Sequence, residues 1–258
     1  QGDNNEFMVS QEFFAATASL NPYATFQRLN RISPTPFAAF YRLDHHYLLC
    51  GSPERFLRKE GERLISQPIK GTAPRGNSSE EDEHLRHQLL HSAKDRSENV
   101  MIVDLVRNDL AQTAQPESVQ VEELFGIYTF PKVHQMISTV SSRLHPNFHA
   151  VDALRHAFPM GSMTGAPKIR AMELIEQFEQ SKRGLYSGAV GYFTPEGDFD
   201  FNVVIRSLLY NQAKAYLSFQ VGGAIIDASD PEAEYQECLV KARPLLETLG
   251  LKDWNQQS

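Results

Sequence analysis

The chain has 258 residues, 41% hydrophobic and 22% charged, a composition typical of a globular protein with a sizeable core. Its net charge of −7 offers no basic field to a phosphate backbone, so nucleic-acid binding is not expected. No apolar run approaches the ~20 residues that span a bilayer, and the polar start resembles neither a signal nor a transit peptide. The two cysteines lack metal or redox spacing, which predicts reduced thiols in a cytoplasmic protein without a membrane partner.

The N-terminal third alternates one helix with short extended runs. Its predicted elements are, in order, a strand at 6–13, a helix opened by Asn21-Pro22 and ended by the prolines at 34 and 36, and extended runs at 37–43, 47–50 and 63–69. Polar, turn-like segments separate the runs, one of them at 58–62. The runs therefore predict a β-meander that carries both Glu54 and Lys70.

The remaining chain alternates helices and strands. Ser78 and Glu81 have the spacing of a capping box, which predicts the start of a helix. The further predictions are a helix through 104–110, strands near 118–124 and 132–144, a helix at 152–158, a small-residue loop at 161–168 that leads into a helix, strands at 187–193, 199–210 and 214–221, and a helix from about 231 to 249. Antiparallel hairpins between helices predict an α+β fold. No repeat or linker is evident, so a single domain over 1–258 is expected.

Lys70 is unusual because it lies in an extended run beside Ile65 and Ile69. One interpretation is an exposed edge lysine that discourages strand pairing, and this is the one the residue pattern favours. The other is a nucleophilic amine in a pocket. A nucleophile must be neutral, so that pocket would have to lower the pKa of Lys70 through burial or a nearby cation.

Glu54, sixteen positions before Lys70, is a candidate general acid. An ordinary glutamate is ionised at neutral pH and is a poor acid, so Glu54 would need desolvation to retain a proton. A turn carboxylate that pairs with Arg55 or Arg58 is the simpler interpretation of the residues alone.

Glu98 and Glu237, with Glu234 one helical turn before the latter, could hold a hard divalent cation such as Mg²⁺. A solvated helix face explains the pair at 234 and 237 equally well. Three histidines have i, i+3 and i+7 spacing on a polar helix, and a solvated face is favoured over a zinc site for them: His84, His87 and His91.

Three further features are suited to an anionic ligand. The loop at 161–168 presents backbone N–H groups at a helix N-terminus, and Gly222-Gly223, after a strand, allows close backbone approach. Tight turns explain both features without a ligand. Arg206, in an apolar strand, could grip a carboxylate through two hydrogen bonds. The residues together predict a site for a small polycarboxylate with a divalent cation.

A series of motifs along the chain resembles those of the chorismate-utilising enzymes, which include anthranilate, aminodeoxychorismate, isochorismate and salicylate synthases. The resemblance runs from about Gly2 to Leu249. The motifs are SPERF (52–56), PIKGT (68–72), SAKDRSENVMIVDLVRND (92–109), the segment around His134, FPMGSMTGAPKIRAMELI (158–175), SGAVGY (187–192), VIRSL (204–208), VGGAII (221–226) and EAEYQE (232–237).

The resemblance implies a fold of large mixed or antiparallel sheets packed as a sandwich and flanked by helices. Lysine before Gly-Thr is typical of the aminodeoxychorismate branch, so Lys70 implies amination of chorismate at C4. Lys70 would attack C2 while the C4 hydroxyl leaves with a proton from Glu54. Ammonia would then add at C4 and expel the lysine, and the enolpyruvyl group would stay.

The same resemblance implies the remaining roles. Glu98 and Glu237 would bind Mg²⁺, and His134 would be a catalytic residue near the ring. A glutamine amidotransferase subunit would supply ammonia, for para-aminobenzoate and folate biosynthesis. The substrate would be bound by Gly71, Thr72, Thr164, Tyr192, Arg206, Gly222, Gly223 and Lys241.

Some positions depart from the family pattern. Glu6 and Met8 stand where other members carry a lysine base or a glutamine motif, which argues against water addition. Other departures are Met160, Ala224 and Cys238. The family's N-terminal region is absent, which suggests a fragment or a shortened chain. Two alternatives remain open: an anthranilate synthase, which would also eliminate pyruvate, and a catalytically silent subunit that binds the ligand or the amidotransferase.

Overall fold

The structure, a computed structural model, describes residues 6–226 and 229–251. Its strands are β1 (Glu6–Ala15), β2 (Phe37–Leu43), β3 (His46–Ser52), β4 (Arg55–Glu60), β5 (Arg63–Gln67), β6 (Ile69–Pro74), β7 (Gln120–Thr129), β8 (Val133–Arg143), β9 (Gly165–Ala166), β10 (Ala189–Phe193), β11 (Phe199–Val203), β12 (Ser207–Asn211) and β13 (Tyr216–Ile225). The α-helices are α1 (Pro22–Ile32), α2 (Ser79–His91), α3 (Ala93–Ala111), α4 (Ala150–Ala157), α5 (Lys168–Phe178) and α6 (Pro231–Leu249). The predicted α+β class with large antiparallel sheets is confirmed.

The helix starts follow from local capping chemistry. The Asn21 side chain accepts from the N–H of Ala24, and Ser78 accepts from Glu81, as the sequence predicts. Asp230 caps α6 before Pro231 in the same way. Within residues 6–226 and 229–251, no helix combines the length and apolarity needed to cross a membrane.

The chain divides into two compact units. Of the described residues, the first unit contains 6–53, 169–190, 203–226 and 229–251. Its strands pair antiparallel in the order β2-β3-β12-β13-β1. Helices α1 and α6 contact this sheet and each other. Their buried partners form one apolar core: Leu29, Tyr47, Leu49, Leu208, Tyr210, Leu217, Phe219, Val221, Ala242, Leu245 and Leu246.

The second unit contains residues 54–168 and 191–202. Its sheet has the strand order β10-β11-β4-β5-β8-β6, and β7 also pairs with β8. Helix α3 contacts β6 and β8, which places its side chains beside the strand that carries Lys70. The most deeply buried apolar side chains of this unit include Leu57, Leu64, Met136 and Val140. The expectation of a single domain over 1–258 stays a prediction.

The predicted meander is wrong, because its strands belong to two sheets. β2 and β3 pair in the first sheet, whereas β4 and β5 pair in the second. Residues 58–60, interpreted as part of a turn, lie in β4, where Lys59 forms a salt bridge to Asp198. The polar side chains of this strand have partners in the folded unit, so their polarity does not indicate a turn.

Three other boundaries also differ from the sequence predictions. The helix predicted at 104–110 is the last part of a longer helix, α3, which already begins at Ala93. The predicted strand at 199–210 is two strands, because β11 pairs with β4 and β12 pairs with β3. Arg206 lies between them with a φ of 52° and is not in a strand. Gly222 and Gly223 lie inside β13, not in a turn after it.

Candidate active site

Lys70 lies at an irregularity in β6. Ile69 pairs with Ile137 of β8 and Thr72 pairs with Gln135, so β6 contains one more residue than β8 between these two pairs. A β-bulge of this kind redirects a side chain locally. Gly71 completes it with a φ of 91°, a conformation that side chains other than glycine rarely adopt. The Lys-Gly pair in the motif therefore has a structural reason.

The amine of Lys70 is buried beside an acidic residue. Lys70 is 9% exposed, and its Nζ lies 3.7 Å from Oε2 of Glu98 on α3. A second lysine, Lys94, approaches the other oxygen of Glu98 at 3.8 Å, but its side chain is 54% exposed. The interpretation of Lys70 as an exposed edge lysine is therefore wrong, because α3 covers this strand.

Glu54 immediately precedes β4 and is 6% exposed. Burial raises its pKa from the ordinary 4.5 to about 7, opposed in decreasing order by a hydrogen bond from the Ser162 side chain, the charge of Lys70 and the N–H of Ile69. Nearby Arg55 forms a salt bridge to Asp200 at 2.9 Å. Glu54 is thus not a solvated turn carboxylate. It retains a proton on a substantial fraction of molecules near neutral pH, as a general acid requires.

The sequence reasoning missed Ser162, although it identified the loop that contains it. The loop begins with a single 3₁₀ turn, Gly161–Met163, in which the N–H of Met163 donates to the carbonyl oxygen of Met160 at 3.1 Å. The hydroxyl of Thr164 donates to the same carbonyl at 3.0 Å. The N–H of Thr164 likewise donates to the carbonyl oxygen of Gly161 at 3.1 Å, so the predicted anion cradle uses two of its N–H groups and the Thr164 hydroxyl for internal hydrogen bonds.

The sequence reasoning also missed a buried ion pair that anchors this loop. Nζ of Lys168 lies 2.6 Å from Oδ1 of Asp109 at the end of α3, and both side chains are largely buried. Burial raises the pKa of Asp109 to about 6 against the opposing charge of Lys168. Both residues lie in quoted motifs, but only the fold shows that they pair.

His134, on β8, is completely buried, and both of its ring nitrogens lie near polar partners. Nδ1 lies 2.9 Å from Oγ1 of Thr129, and Nε2 lies 3.0 Å from Oδ1 of Asp82. A hydrogen bond from Arg75 holds the pKa of Asp82 far below its ordinary value. The catalytic role of His134 stays a prediction.

Two other predicted substrate residues of this unit lie on strands. Thr72 is on β6 opposite Gln135, directly after the bulge. Tyr192 is on β10 and is 63% exposed. The side chain of Tyr192 is thus open to a ligand. Thr72 follows Lys70 by two positions in the chain.

In the first unit, Arg206 is a half-buried cation. Burial lowers the pKa of its guanidinium, opposed by the nearby Tyr186 and Glu237. Nη1 of Arg206 donates to the carbonyl oxygen of Lys241 at 3.2 Å. A desolvated guanidinium of this kind is stabilised by an additional anion, as the proposed carboxylate contact requires.

Gly222 and Gly223 lie where β13 packs closely against its neighbours. A Cβ atom on Gly222 would lie 2.2 Å from the carbonyl oxygen of Val9, so only glycine fits there. The carbonyl oxygen of Gly222 accepts from Nζ of Lys241 at 2.9 Å, and that amine also forms a salt bridge to Glu237 at 2.6 Å. Gly222, Lys241 and Glu237 are therefore brought together.

An ion pair in the first unit holds β1, and the sequence reasoning missed it. Oε1 of Glu179 accepts from the N–H of Ser10 at 2.8 Å and from its hydroxyl at 2.7 Å. Arg183 binds both carboxylate oxygens of Glu179 and donates to the carbonyl oxygen of Met8 at 3.2 Å. Because Ser10 pairs with Gly222, these contacts hold the strand that faces the glycines.

The candidate metal ligands are glutamate carboxylates, which are hard oxygen donors, and they differ in how far their side chains are exposed. Glu98 is mostly buried, Glu234 is buried and accepts from Ser229 at 3.0 Å, and Glu237 is half exposed. In the described part of the chain, no group of three or more His, Cys, Asp or Glu side chains is arranged to hold a metal. The three histidines of α2 therefore do not form such a group. The rings of His87 and His91 stack with centroids 4.0 Å apart.

The chain belongs to the family of chorismate binding enzymes, whose model matches residues 1–247. Aminodeoxychorismate synthase component 1 of Salmonella typhimurium is 44% identical over 96% of this chain, which spans 54% of that protein. Aminodeoxychorismate synthase of Streptomyces griseus is 48% identical over 91% of this chain and 32% of its own length. The chain thus spans about half the length of the component 1 relative and about a third of the length of the Streptomyces griseus relative.

Solved structures support the fold. Anthranilate synthase component I of Streptococcus pneumoniae superposes with a TM-score of 0.83 at 34% identity, over 93% of this chain and 53% of that one. The menaquinone-specific isochorismate synthase of Escherichia coli gives 0.84 at 22% identity, over 96% and 57%, which shows the fold alone. The resemblance inferred from the motifs is confirmed at the level of the family.

Proposed function

We propose that the protein aminates chorismate to 4-amino-4-deoxychorismate, with ammonia as the nitrogen source and Lys70 as a covalent catalyst. The observation that carries this proposal is the burial of Lys70 beside Glu98. The charge of Lys70 also acts on Glu54. Burying an amine is costly, and a role in chemistry accounts for it. The curated relatives that cover most of the chain are aminodeoxychorismate synthases, which supports the same reaction.

The proposed reaction has two displacements. The neutral amine of Lys70 forms a bond to C2 of chorismate, both conjugated ring double bonds shift, and the C4 hydroxyl departs as water with the proton of Glu54. Ammonia then forms a bond to C4, both double bonds shift back, and the amine of Lys70 leaves. A carboxyl group with a pKa of about 7 suits the first step, since it is protonated on about half of the molecules at pH 7.

Three kinds of group are proposed to bind the substrate's carboxylates. The half-buried Arg206 supplies a guanidinium, Lys241 supplies an amine, and the glycines allow close approach to the backbone. His134 is proposed to lie near the ring, with its tautomer set by Thr129 and Asp82. The full proposed set is Gly71, Thr72, Thr164, Tyr192, Arg206, Gly222, Gly223 and Lys241.

Glu98 and Glu237 are the proposed ligands of Mg²⁺. Carboxylate oxygens are the donors that this ion prefers, and Mg²⁺ needs only one or two of them because it keeps several waters, so the donor set fits. When bound, the ion supplies positive charge for a substrate carboxylate. Within the chain, Lys94 and Lys241 already lie within 4 Å of these two carboxylates.

The proposed partner is a glutamine amidotransferase that delivers ammonia, since component 1 relatives take their name from a system with more than one component. The product would serve para-aminobenzoate and folate biosynthesis. A cytoplasmic location fits the reduced state of the two thiols, Cys50 and Cys238.

Two lysines that share Glu98 provide a matched test. Lys70→Ala should lower kcat for amination by at least ~10³-fold, because the nucleophile is removed. Lys94→Ala removes the exposed partner of the same carboxylate and should keep kcat within about threefold of wild type. The assay uses chorismate, Mg²⁺ and an ammonium salt, with product separated by chromatography. Equal losses in the two variants, or none in Lys70→Ala, would reject the covalent role.

A further inference from the structure

Ser162 contacts the proposed general acid and has no role so far. Its side chain hydrogen-bonds the carboxyl group of Glu54, and the N–H of Ile69 does so from β6. Two donors from separate elements restrict the rotation of a carboxyl group far more than one does. The charged group that acts on Glu54 is Lys70, on β6.

The turn that carries Ser162 is fixed on α3 at both ends. At its start, a Cβ on Gly161 would lie 2.7 Å from Cδ2 of Leu105, so the turn packs directly against side chains of the helix. At its end, Lys168 binds Asp109 at 2.6 Å and the carbonyl oxygen of Ala157 at 3.4 Å. Between these anchors, Met163 and Thr164 close the turn with their N–H groups.

We propose that Ser162 is a positioning residue for Glu54: its hydroxyl, fixed by this turn on α3, orients the carboxyl group toward the departing C4 hydroxyl. The expected effect of Ser162 on kcat rests on the proposed function. The hydrogen bond between Ser162 and Glu54 does not depend on the substrate. The hydroxyl of Ser162 donates to the carboxylate form, so it also makes the proton of Glu54 easier to release.

The kinetic test compares Ser162→Ala with Ser66→Ala. Ser66 is a buried serine of the same unit whose hydroxyl donates to the carbonyl oxygen of Phe56 and is not among the groups that act on Glu54. In Ser162→Ala we expect kcat to fall about tenfold with KM changed less than about twofold, because orientation at the reacting centre is lost. The alkaline limb of kcat/KM should move up by about one pH unit, since one hydrogen bond to a carboxylate is gone.

Two further variants separate positioning from folding. Ser162→Thr keeps the hydroxyl and should restore the wild-type limb, whereas Ser162→Cys, a weaker donor, should give an intermediate shift. Ser66→Ala should keep the limb unchanged. An unmoved limb in both Ser162→Ala and Ser162→Cys, or the same shift in Ser66→Ala, would overturn the inference.

A substrate-free measurement distinguishes this inference from the proposed function. Carbon-13 NMR of carboxyl-labelled glutamate, with the Glu54 signal assigned by its loss in Glu54→Gln, follows the titration of Glu54 directly. A higher midpoint in Ser162→Ala than in wild type supports the contact, and an equal midpoint overturns it. Wild-type protein that does not aminate chorismate would reject the proposed function, while this titration would still decide whether Ser162 holds Glu54.

Discussion

Replacing Glu54 by glutamine should stabilise the protein, and the gain should depend on pH. Burial raises the pKa of Glu54 from 4.5 to about 7, so the folded state binds a proton more tightly than the unfolded state does. The stability that this proton provides is complete below pH 4.5 and is lost as pH rises through 7. Glutamine has the shape of the protonated acid and carries no charge, so the variant avoids that loss.

The size of the effect follows from the shift. A change of one pKa unit corresponds to ~1.4 kcal/mol, so a shift from 4.5 to about 7 corresponds to about 3 kcal/mol. Glu54 is almost fully buried, so solvent screening reduces this value little. We expect the free energies of unfolding of Glu54→Gln and wild type to agree at pH 4.5, and the variant to be more stable by about 3 kcal/mol at pH 8.

Urea unfolding followed by circular dichroism at both pH values measures this difference. Glu83→Gln is the control, because Glu83 is an exposed residue paired with Arg86, and it should stay within ~1 kcal/mol of wild type at both pH values. A difference between Glu54→Gln and wild type that is the same at pH 4.5 and pH 8 would refute the reasoning. It would mean that burial does not destabilise the ionised form of Glu54.

Two further predictions use paired positions of the second unit. Asp109→Ala leaves Lys168 buried and unpaired, so it should lower the free energy of unfolding by ~3–5 kcal/mol, whereas Asp104→Ala, in an exposed ion pair on the same helix, should cost less than ~1 kcal/mol by urea unfolding. Equal losses would contradict the burial argument. Gly71→Ala and Gly61→Ala both impose a left-handed conformation that costs ~1–2 kcal/mol. Because only Gly71 would also contact neighbouring side chains, only Gly71→Ala should abolish amination, and retained activity in it would exclude a role for the bulge.

The sequence was sufficient where structure is determined by neighbouring residues. Helix α1 begins at Asn21-Pro22, α2 follows Ser78, and α6 runs from Pro231 to Leu249, all as predicted from caps and apolar spacing. The sequence motifs also identified the family, which the family match confirms.

Strand partners could not be predicted, because pairing depends on distant segments. The run at 63–69 looked like a continuation of 37–50, yet β5 pairs with β8 and not with β3. Gly222 and Gly223 looked like a turn because glycines usually end strands, but here close packing against Val9 requires glycine inside one.

Burial decided the interpretation of Lys70 and Glu54, and burial is a property of the whole unit. Residue type alone favoured an edge lysine and a turn carboxylate. The bulge opposite Gln135 and the cover provided by α3 place the amine inside the unit instead. Ser162 and the Asp109–Lys168 pair were missed for the same reason, since each contact joins segments far apart in sequence.

The central claim is amination of chorismate with the enolpyruvyl group retained, and the products of the purified chain test it most directly. The chain would be incubated with chorismate, Mg²⁺ and an ammonium salt, and the products would be identified by chromatography and mass spectrometry. We predict 4-amino-4-deoxychorismate, with no pyruvate released and no product from Lys70→Ala. Fluorescent anthranilate together with an equal amount of pyruvate would contradict this account.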